Sequence, residues 1–181
     1  MPSIQGDLNH PDNQRGWVLV VGLVILVMLT ILAMALMKTA RLEEKMAGAT
    51  RDMNLSFQAA ETALRGAENF IESQAEESIF DASTNEIYSQ TDDEPENLFT
   101  EASWVDENSR AMFDDEVEAL QGVSLSPRYM IKKLEKIGSN LTITGYGDDN
   151  TAPTVFRVTV RGTGGTNNRA TLLRSHYSKV F

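Results

Sequence analysis

The side chains suited to catalysis or metal binding are few in this sequence, and their spacing favours no reaction. Asp148, Asp149 and Asn150 are adjacent residues with hard oxygen ligands, which makes them candidates for a calcium site. They lack the spacing of a known calcium loop. His176 has no serine or acid at a recognisable catalytic spacing, so we expect an exposed or half-buried histidine there. We therefore expect no catalytic residue, no other metal site and no cofactor.

Two further stretches resemble binding sites in composition only. Residues 162–165 are rich in glycine, but a phosphate-binding loop leads from a strand into the N-terminus of a helix. Here the following segment has the composition of another strand, so we predict a hairpin turn. The run of acids within residues 114–118 is expected to be a solvated surface.

Composition excludes several classes of protein. The chain has 181 residues, which suits one domain with an appendage. It has 16 basic and 26 acidic residues and a net charge of −10, which disfavours binding to nucleic acid. It contains no cysteine and two histidines, so disulfides, thiolate chemistry and histidine-rich metal centres are excluded.

One apolar block dominates the N-terminal part of the sequence. Residues 17–37 carry no charge, and Thr30 is the one polar side chain among them. As a helix rising about 1.5 Å per residue, this block spans a bilayer core about 30 Å thick, so we predict a transmembrane helix. Two alternatives remain: the core helix of a soluble protein, or a cleavable secretory signal ending near Ala33 and Ala35.

The helical pattern continues beyond the apolar block. With a period near 3.6, the apolar residues after position 37 form one face of a helix, and they are Leu42, Met46, Ala49, Met53, Phe57, Ala60, Leu64, Ala67 and Ile71. We therefore predict one helix over 17–72, transmembrane over 17–37 and amphipathic over 38–72.

An acidic region and a basic region follow the helix. Residues 61–118 have a net charge of −16, and residues 119–181 have a net charge of +6. Such asymmetry indicates that the two portions fold against each other or meet oppositely charged partners, unless the acids are simply solvated. We predict an acidic variable region over 73–122, with short helices near 98–105 and 110–120 and a loop over 91–97.

The last third has the composition of strands. Residues 129–131, 141–144, 155–160 and 170–173 are rich in β-branched and aromatic residues, and turn clusters occupy 145–150 and 162–168. We predict an antiparallel sheet within 123–181, with one face on the amphipathic part of the helix and the other in water. The predicted fold class is α+β.

The order of these segments resembles that of the type IV pilins. A short polar leader over 1–16 ends in Gln14, Arg15 and Gly16, and an apolar helix and a small α+β head follow. Four segments are similar to the PilX group of minor pilins: RLEEKMAG at 41–48, FQAAETALR at 57–65, SPRY at 126–129 and VTVRGTGG at 158–165. The resemblance covers both ends of the chain and leaves out the acidic middle.

The resemblance implies processing and assembly. A prepilin peptidase would remove residues 1–16 by cutting after Gly16 and would methylate Trp17. The mature chain would be a single-pass inner-membrane protein with its head in the periplasm. Its helix would then leave the lipid and pack against other pilins in a fibre at the cell surface, with close approach at Gly22, Ala33 and Ala35.

The resemblance also implies a non-enzymatic role. A PilX-type subunit would act with other minor pilins and the major pilin to prime assembly of the pilus that drives twitching motility and adhesion, and would help to display a PilY-type tip adhesin. Most pilins carry Glu at the fifth mature position, and this sequence has Val21 there. A buried membrane carboxylate is costly unless it is paired, so we expect a subunit at or near the tip, where no neighbour lies above it. A merely tolerated valine is the alternative.

Other functions stay open at this level. A tip pseudopilin of a type II secretion system also lacks that glutamate, but its inserted domain is larger than this head allows. A membrane-anchored periplasmic enzyme would need a catalytic cluster, and a membrane-anchored binding module would need no processing after Gly16.

Overall fold

The structure is a computed structural model that describes residues 15–113, 120–137 and 152–181. The chain divides into two units, Met1–Gly48 and Ala49–Phe181. The second unit is called the head below. The predicted strand at 141–144, the turn at 145–150 and the acidic run at 114–118 lie outside the described residues.

One helix, α1, extends over Arg15–Ser73. The prediction of a single helix is confirmed, and its bounds differ by two residues at the start and one at the end. No proline occurs within it, and its early residues are mostly straight-chain or branched apolar residues. Residues 16–48 are all exposed, whereas the part of α1 from Ser56 onward buries one side in the head.

The head contains a five-stranded sheet. Its strands are β1 (Ile87–Tyr88), β2 (Arg110–Ala111), β3 (Arg128–Lys136), β4 (Thr154–Thr163) and β5 (Ala170–Lys179). Strands β3, β4 and β5 are antiparallel neighbours, as predicted. Strand β1 pairs with β3 in parallel, and β2 pairs with β3 in antiparallel orientation. The α+β prediction is confirmed, but the sheet is mixed at its β3 edge.

The core of the head lies between α1 and one face of this sheet. Ala60, Ala63, Ala67 and Ile71 of α1 are fully buried against apolar residues of the strands and of the acidic region; these are Phe80, Ile87, Tyr129, Ile131, Phe156, Val158 and Val160. Three tilted or edge-to-face ring contacts join Phe80, Phe156 and Phe181. The aromatic group closes the end of the core near the last turn of α1.

The prediction of which residues of α1 face the core is only partly confirmed. Met53 and Phe57 were placed on the buried face, yet 63% of Met53 and 44% of Phe57 are exposed. Ser56 and Ala59 are buried instead, because the sheet approaches α1 too closely for large side chains. A Cβ atom at Gly162 of β4 would overlap the backbone of Ser56 and Ala60. The apolar period alone did not reveal that small residues make this contact.

The acidic region contributes Phe80 and Ile87 to the core beside α1, and its later part folds over the other face of the sheet. It contains two short 3₁₀ helices, Glu77–Phe80 and Glu101–Trp104, the second within the stretch 98–105 predicted as helical. The helix predicted at 110–120 is wrong at its start, because Arg110 and Ala111 pair with β3. The outer face, expected to be in water, is partly covered: Met130, which alternates with inward residues on β3, is fully buried.

Candidate functional site

The exposed large apolar side chains of the described residues are concentrated on one segment of α1, residues 17–37. Its large side chains are 39% to 71% exposed, from Val21 at the low end to Trp17 at the high end. The helix is long and apolar enough to cross a membrane, and its most apolar window buries nothing within the chain. Soluble proteins rarely expose an apolar surface of this size to water, which favours a lipid or protein environment around it.

The polar atoms of this helix are adapted to an apolar environment. Thr30 donates a hydrogen bond from Oγ1 to the carbonyl oxygen of Leu26 at 2.5 Å, and Thr39 donates one to Ala35 at 3.2 Å. Each hydroxyl therefore finds its acceptor in the preceding turn of its own helix. Neither needs water or a second helix, which suits a segment in an apolar environment.

The residues predicted to permit close approach do not form one patch. Gly22 and Ala33 are eleven residues apart, about three turns, so they lie on the same side of α1. Ala35 follows Ala33 by about 200° and lies on the opposite side. A Cβ atom at Gly22 would meet nothing within 4 Å, so the backbone there is open to a neighbour. The predicted assembly role of these residues and of Val21 stays a prediction, as does processing between Gly16 and Trp17.

The hairpin between β4 and β5 is attached to α1 by Asp52. Asp52 accepts hydrogen bonds from the backbone nitrogen of Thr166 at 3.2 Å and from its hydroxyl at 2.9 Å, and Arg169 lies 4.0 Å away. The hydroxyl of Thr166 lowers the pKa of Asp52 below its usual value, aided by the backbone donors and by Arg169. The glycine-rich stretch 162–165 leads into this hairpin, as predicted.

The C-terminal end of α1 is capped by a distant lysine. Lys179, the last residue of β5, donates from Nζ to the carbonyl oxygens of Ile71, Glu72 and Gln74 at 3.1, 2.7 and 2.6 Å. The last turn of α1 has no basic residue of its own. Lys179 supplies the positive charge that the carbonyl end of a helix favours and ties the last strand to the helix.

The acidic region meets the basic strands through ion pairs on the outer face of the sheet. Arg128 contacts Asp106 at 2.5 Å and Lys132 contacts Asp93 at 3.8 Å, while Arg157 and Arg174 share Glu94 at 3.5 Å each. The acidic region and the basic strands therefore fold against each other, which is one of the outcomes that the charge asymmetry predicts. Burial raises the pKa of Tyr88, and the charge of Glu94 raises it further.

Glu77 joins the first 3₁₀ helix to the sheet. Its carboxylate contacts Lys133 and Lys136 at 2.8 Å each, and Thr154 donates to it at 3.0 Å. Burial alone would raise the pKa of Glu77, but these three donors outweigh it and lower the pKa to about 2. The acidic region is thus anchored to β3 and β4 by a carboxylate that stays charged.

The remaining predicted site residues are the calcium candidates and His176. Asp148, Asp149 and Asn150 lie outside the described residues, so the calcium site stays a prediction. Within residues 15–113, 120–137 and 152–181, no three acids or histidines are grouped so as to hold a metal ion. His176 is exposed on the outer side of β5, beside Arg157 in register, in agreement with the expected surface histidine.

These features define a class of protein. An apolar N-terminal helix that continues into an α+β head, and packs there on a largely antiparallel sheet, is the architecture of type IV pilin-like subunits. The family model described as PilX N-terminal matches residues 15–65, and the one described as type IV pilus assembly protein PilX C-term matches residues 58–179. The chain therefore belongs to the PilX family of type IV pilus assembly proteins, and it is a minor pilin. No curated protein and no solved structure gives a significant match.

Sequence reasoning missed the residues that hold the head together. Asp52, Glu77 and Lys179 are single charges without a local pattern, and each acts on a partner more than 50 residues away. The charge asymmetry between the regions was the only signal of such contacts, and it identified no pair.

Proposed function

We propose that this minor pilin helps to prime assembly of the type IV pilus, lies at or near the pilus tip and catalyses no reaction. The observation that carries the tip position is Val21 within the exposed apolar surface of α1. Family membership supports a structural subunit of the pilus assembly machinery.

The argument for the tip rests on the cost of a charge in lipid. A carboxylate in a transmembrane helix is tolerated when a cation pairs with it. In pilins the proposed cation is the free N-terminal amine of the next subunit toward the tip. A subunit with no neighbour above it gains nothing from the carboxylate and still bears its desolvation cost. Valine at position 21 removes that cost.

The proposal includes the processing and the domain organisation of a type IV pilin. Residues 1–16 form a leader that prepilin peptidase removes after Gly16, and Trp17 becomes the methylated N-terminus. Residues 17–37 span the inner membrane, 38–72 form the amphipathic part of α1, 73–122 form the acidic region, and 123–181 form the sheet region. The head then lies in the periplasm before assembly.

Assembly exchanges one apolar environment for another. The exposed surface over 17–37 leaves lipid and packs against the helices of other minor pilins and of the major pilin. Thr30 and Thr39 make no demand on the new environment, because their hydroxyls already have acceptors within α1. The head is carried to the cell surface, where it helps to display a PilY-type adhesin. Nucleic acid is not a partner.

Processing is tested by incubating the full chain in membranes with prepilin peptidase. We expect loss of residues 1–16 and a new N-terminus at Trp17, and a Gly16→Glu variant should stay uncut. An uncut wild-type chain, or a cut after Ala35, contradicts the proposal and favours an anchored module or a secretory signal.

The tip position is tested by immunogold labelling of an epitope at Phe181 in piliated cells. We expect label at pilus ends, and deletion of the gene should reduce surface pili and twitching. A Val21→Glu variant should lower piliation or move the label along the shaft, whereas Val21→Leu should leave both unchanged. Label along the wild-type shaft, or no effect of Val21→Glu, contradicts the tip position. A secretion defect with normal pili would favour the pseudopilin role.

A further inference from the structure

Five cations of the described strands lie on the outer face of the sheet, and four of them have acidic partners among the described residues. Arg128 and Lys132 of β3, Arg157 of β4 and Arg174 of β5 pair with acids of residues 93–106. Arg161 of β4 lies in register with Arg128 and faces the same side, because Val160 and Gly162 face α1. Among the described residues, Arg161 has no ion-pair or hydrogen-bond partner within contact distance.

Arg161 is half-buried between two clefts. One, of about 380 Å³, is bordered by Phe99, Leu172 and Asn167, and the other, of about 430 Å³, by Val105, Leu125 and Glu101. A guanidinium that is half-buried and has no anion beside it within residues 15–113, 120–137 and 152–181 is able to bind one. Glu101 borders the same cleft, but its Oε1 accepts a hydrogen bond from Asn167 and it makes no ion pair with Arg161.

An exposed aromatic ring lies next to Arg161. Phe99 is 89% exposed, the most exposed of the large apolar residues described in the head, and Leu125 is 40% exposed. The loop holds Phe99 outward, because Trp104 donates to the carbonyl of Leu98 at 2.8 Å and Asn97 accepts from the backbone nitrogen of Phe99 at 3.0 Å. An aromatic ring on a pinned loop beside an arginine is typical of a protein-binding surface.

We propose that Phe99, Leu125 and Arg161, called the Arg161 surface below, bind a segment of another protein that presents a carboxylate next to an apolar side chain. At the other four cations of the outer face, an acid of this chain forms the ion pair. At Arg161 the carboxylate of the partner protein forms it, and the partner's apolar side chain covers Phe99. A membrane is a poorer occupant, because its many phosphates would also meet Glu101 and Asp106 at the rim. The proposal is independent of the tip position.

The test places a photo-crosslinking amino acid, p-benzoylphenylalanine, at position 99 of the full chain in piliated cells. The same amino acid at Val180, which is 54% exposed in the head, is the matched control. We expect a single protein adduct from position 99 and no such adduct from position 180, and peptide mapping should find an acidic residue within a few residues of the adduct. A lipid adduct, or equal labelling from both positions, overturns the proposal.

Charge variants then test the role of Arg161. Arg161→Glu should lower the adduct yield at least about tenfold, because it replaces an attraction by a repulsion, and Arg161→Lys should retain most of it. Glu101→Gln should leave the yield unchanged or raise it. Each variant should unfold as the wild type does, which excludes misfolding as the cause of a change. An adduct yield that is the same in Arg161→Glu and in the wild type refutes the proposal. An Arg161-dependent adduct with a protein outside the pilus would support this surface and count against the proposed function.

Discussion

Gly162 of β4 lies so close to Ala60 of α1 that any side chain at position 162 would overlap the helix backbone. Ser56, one turn earlier, is also buried, and its hydroxyl lies 2.6 Å from that of Thr171. Backbone thus packs on backbone where β4 and β5 cross α1, and the contact sets the distance between helix and sheet.

Replacing Gly162 by alanine should therefore destabilise the head. The added Cβ meets backbone atoms, which cannot rotate away, so we expect a loss of about 2 kcal/mol or more. The measurement is urea unfolding in detergent followed by the fluorescence of Trp104, which is buried, with Trp17 replaced by phenylalanine. Gly48→Ala is the matched control, because a Cβ there meets nothing within 4 Å and alanine favours the helix. Equal stability of the Gly162→Ala variant and the parent would contradict this contact.

The cap on α1 gives a second prediction. Lys179→Met keeps the apolar stem but removes the three donors to Ile71, Glu72 and Gln74, so we expect a loss of about 1 to 2 kcal/mol in the same assay. Ser178→Ala, at the exposed neighbouring position, should change stability by less than about 0.5 kcal/mol. If both variants unfold alike, Lys179 does not stabilise the helix end.

Much of the fold follows from patterns that repeat along the chain. The charge-free run over 17–37, the period of the following helix and the β-rich segments of β3, β4 and β5 each involve many residues that point to one answer. The family resemblance rests on the same long segments, and the family matches confirm it.

The remainder depends on single residues and long-range contacts. The period of α1 favoured Met53 and Phe57 for the core, but close approach at Gly162 selects Ser56, Ala59 and Ala60. Strands β1 and β2 have two residues each, too short for any alternation to indicate them. Arg161 differs from the other outer-face cations only in lacking a partner among the described residues, which no sequence pattern encodes.

The pKa of Glu77 predicts how acid affects the head. The pKa of about 2 in the folded protein lies below the ordinary value of 4.5, so the stability that Glu77 contributes is complete above about pH 4.5 and is lost as the pH falls toward 2. Glu77→Gln should lower stability at neutral pH by no more than about 2 kcal/mol, since solvent screens the pairs. It should also flatten the fall in stability between about pH 5 and pH 3. Glu76→Gln, at the exposed preceding position, should keep the wild-type slope, and an unchanged slope in Glu77→Gln would contradict the assignment.

Tyr88 reports on the contact between the acidic region and the sheet. Burial raises its pKa first and Glu94 adds to this, while its hydroxyl donates to the carbonyl of Asn108 at 2.9 Å. Glu94→Gln removes the charge and keeps the shape, so we expect the pKa of Tyr88 to fall but to stay above the ordinary value of 10.0, because burial persists. Ultraviolet absorbance titration, with a Tyr88→Phe variant to assign the signal, measures the shift. Glu96→Gln, outside the Arg157 and Arg174 pairs, is the control. If the pKa of Tyr88 is unchanged in Glu94→Gln, residues 89–96 do not cover the sheet in solution as they do in the structure.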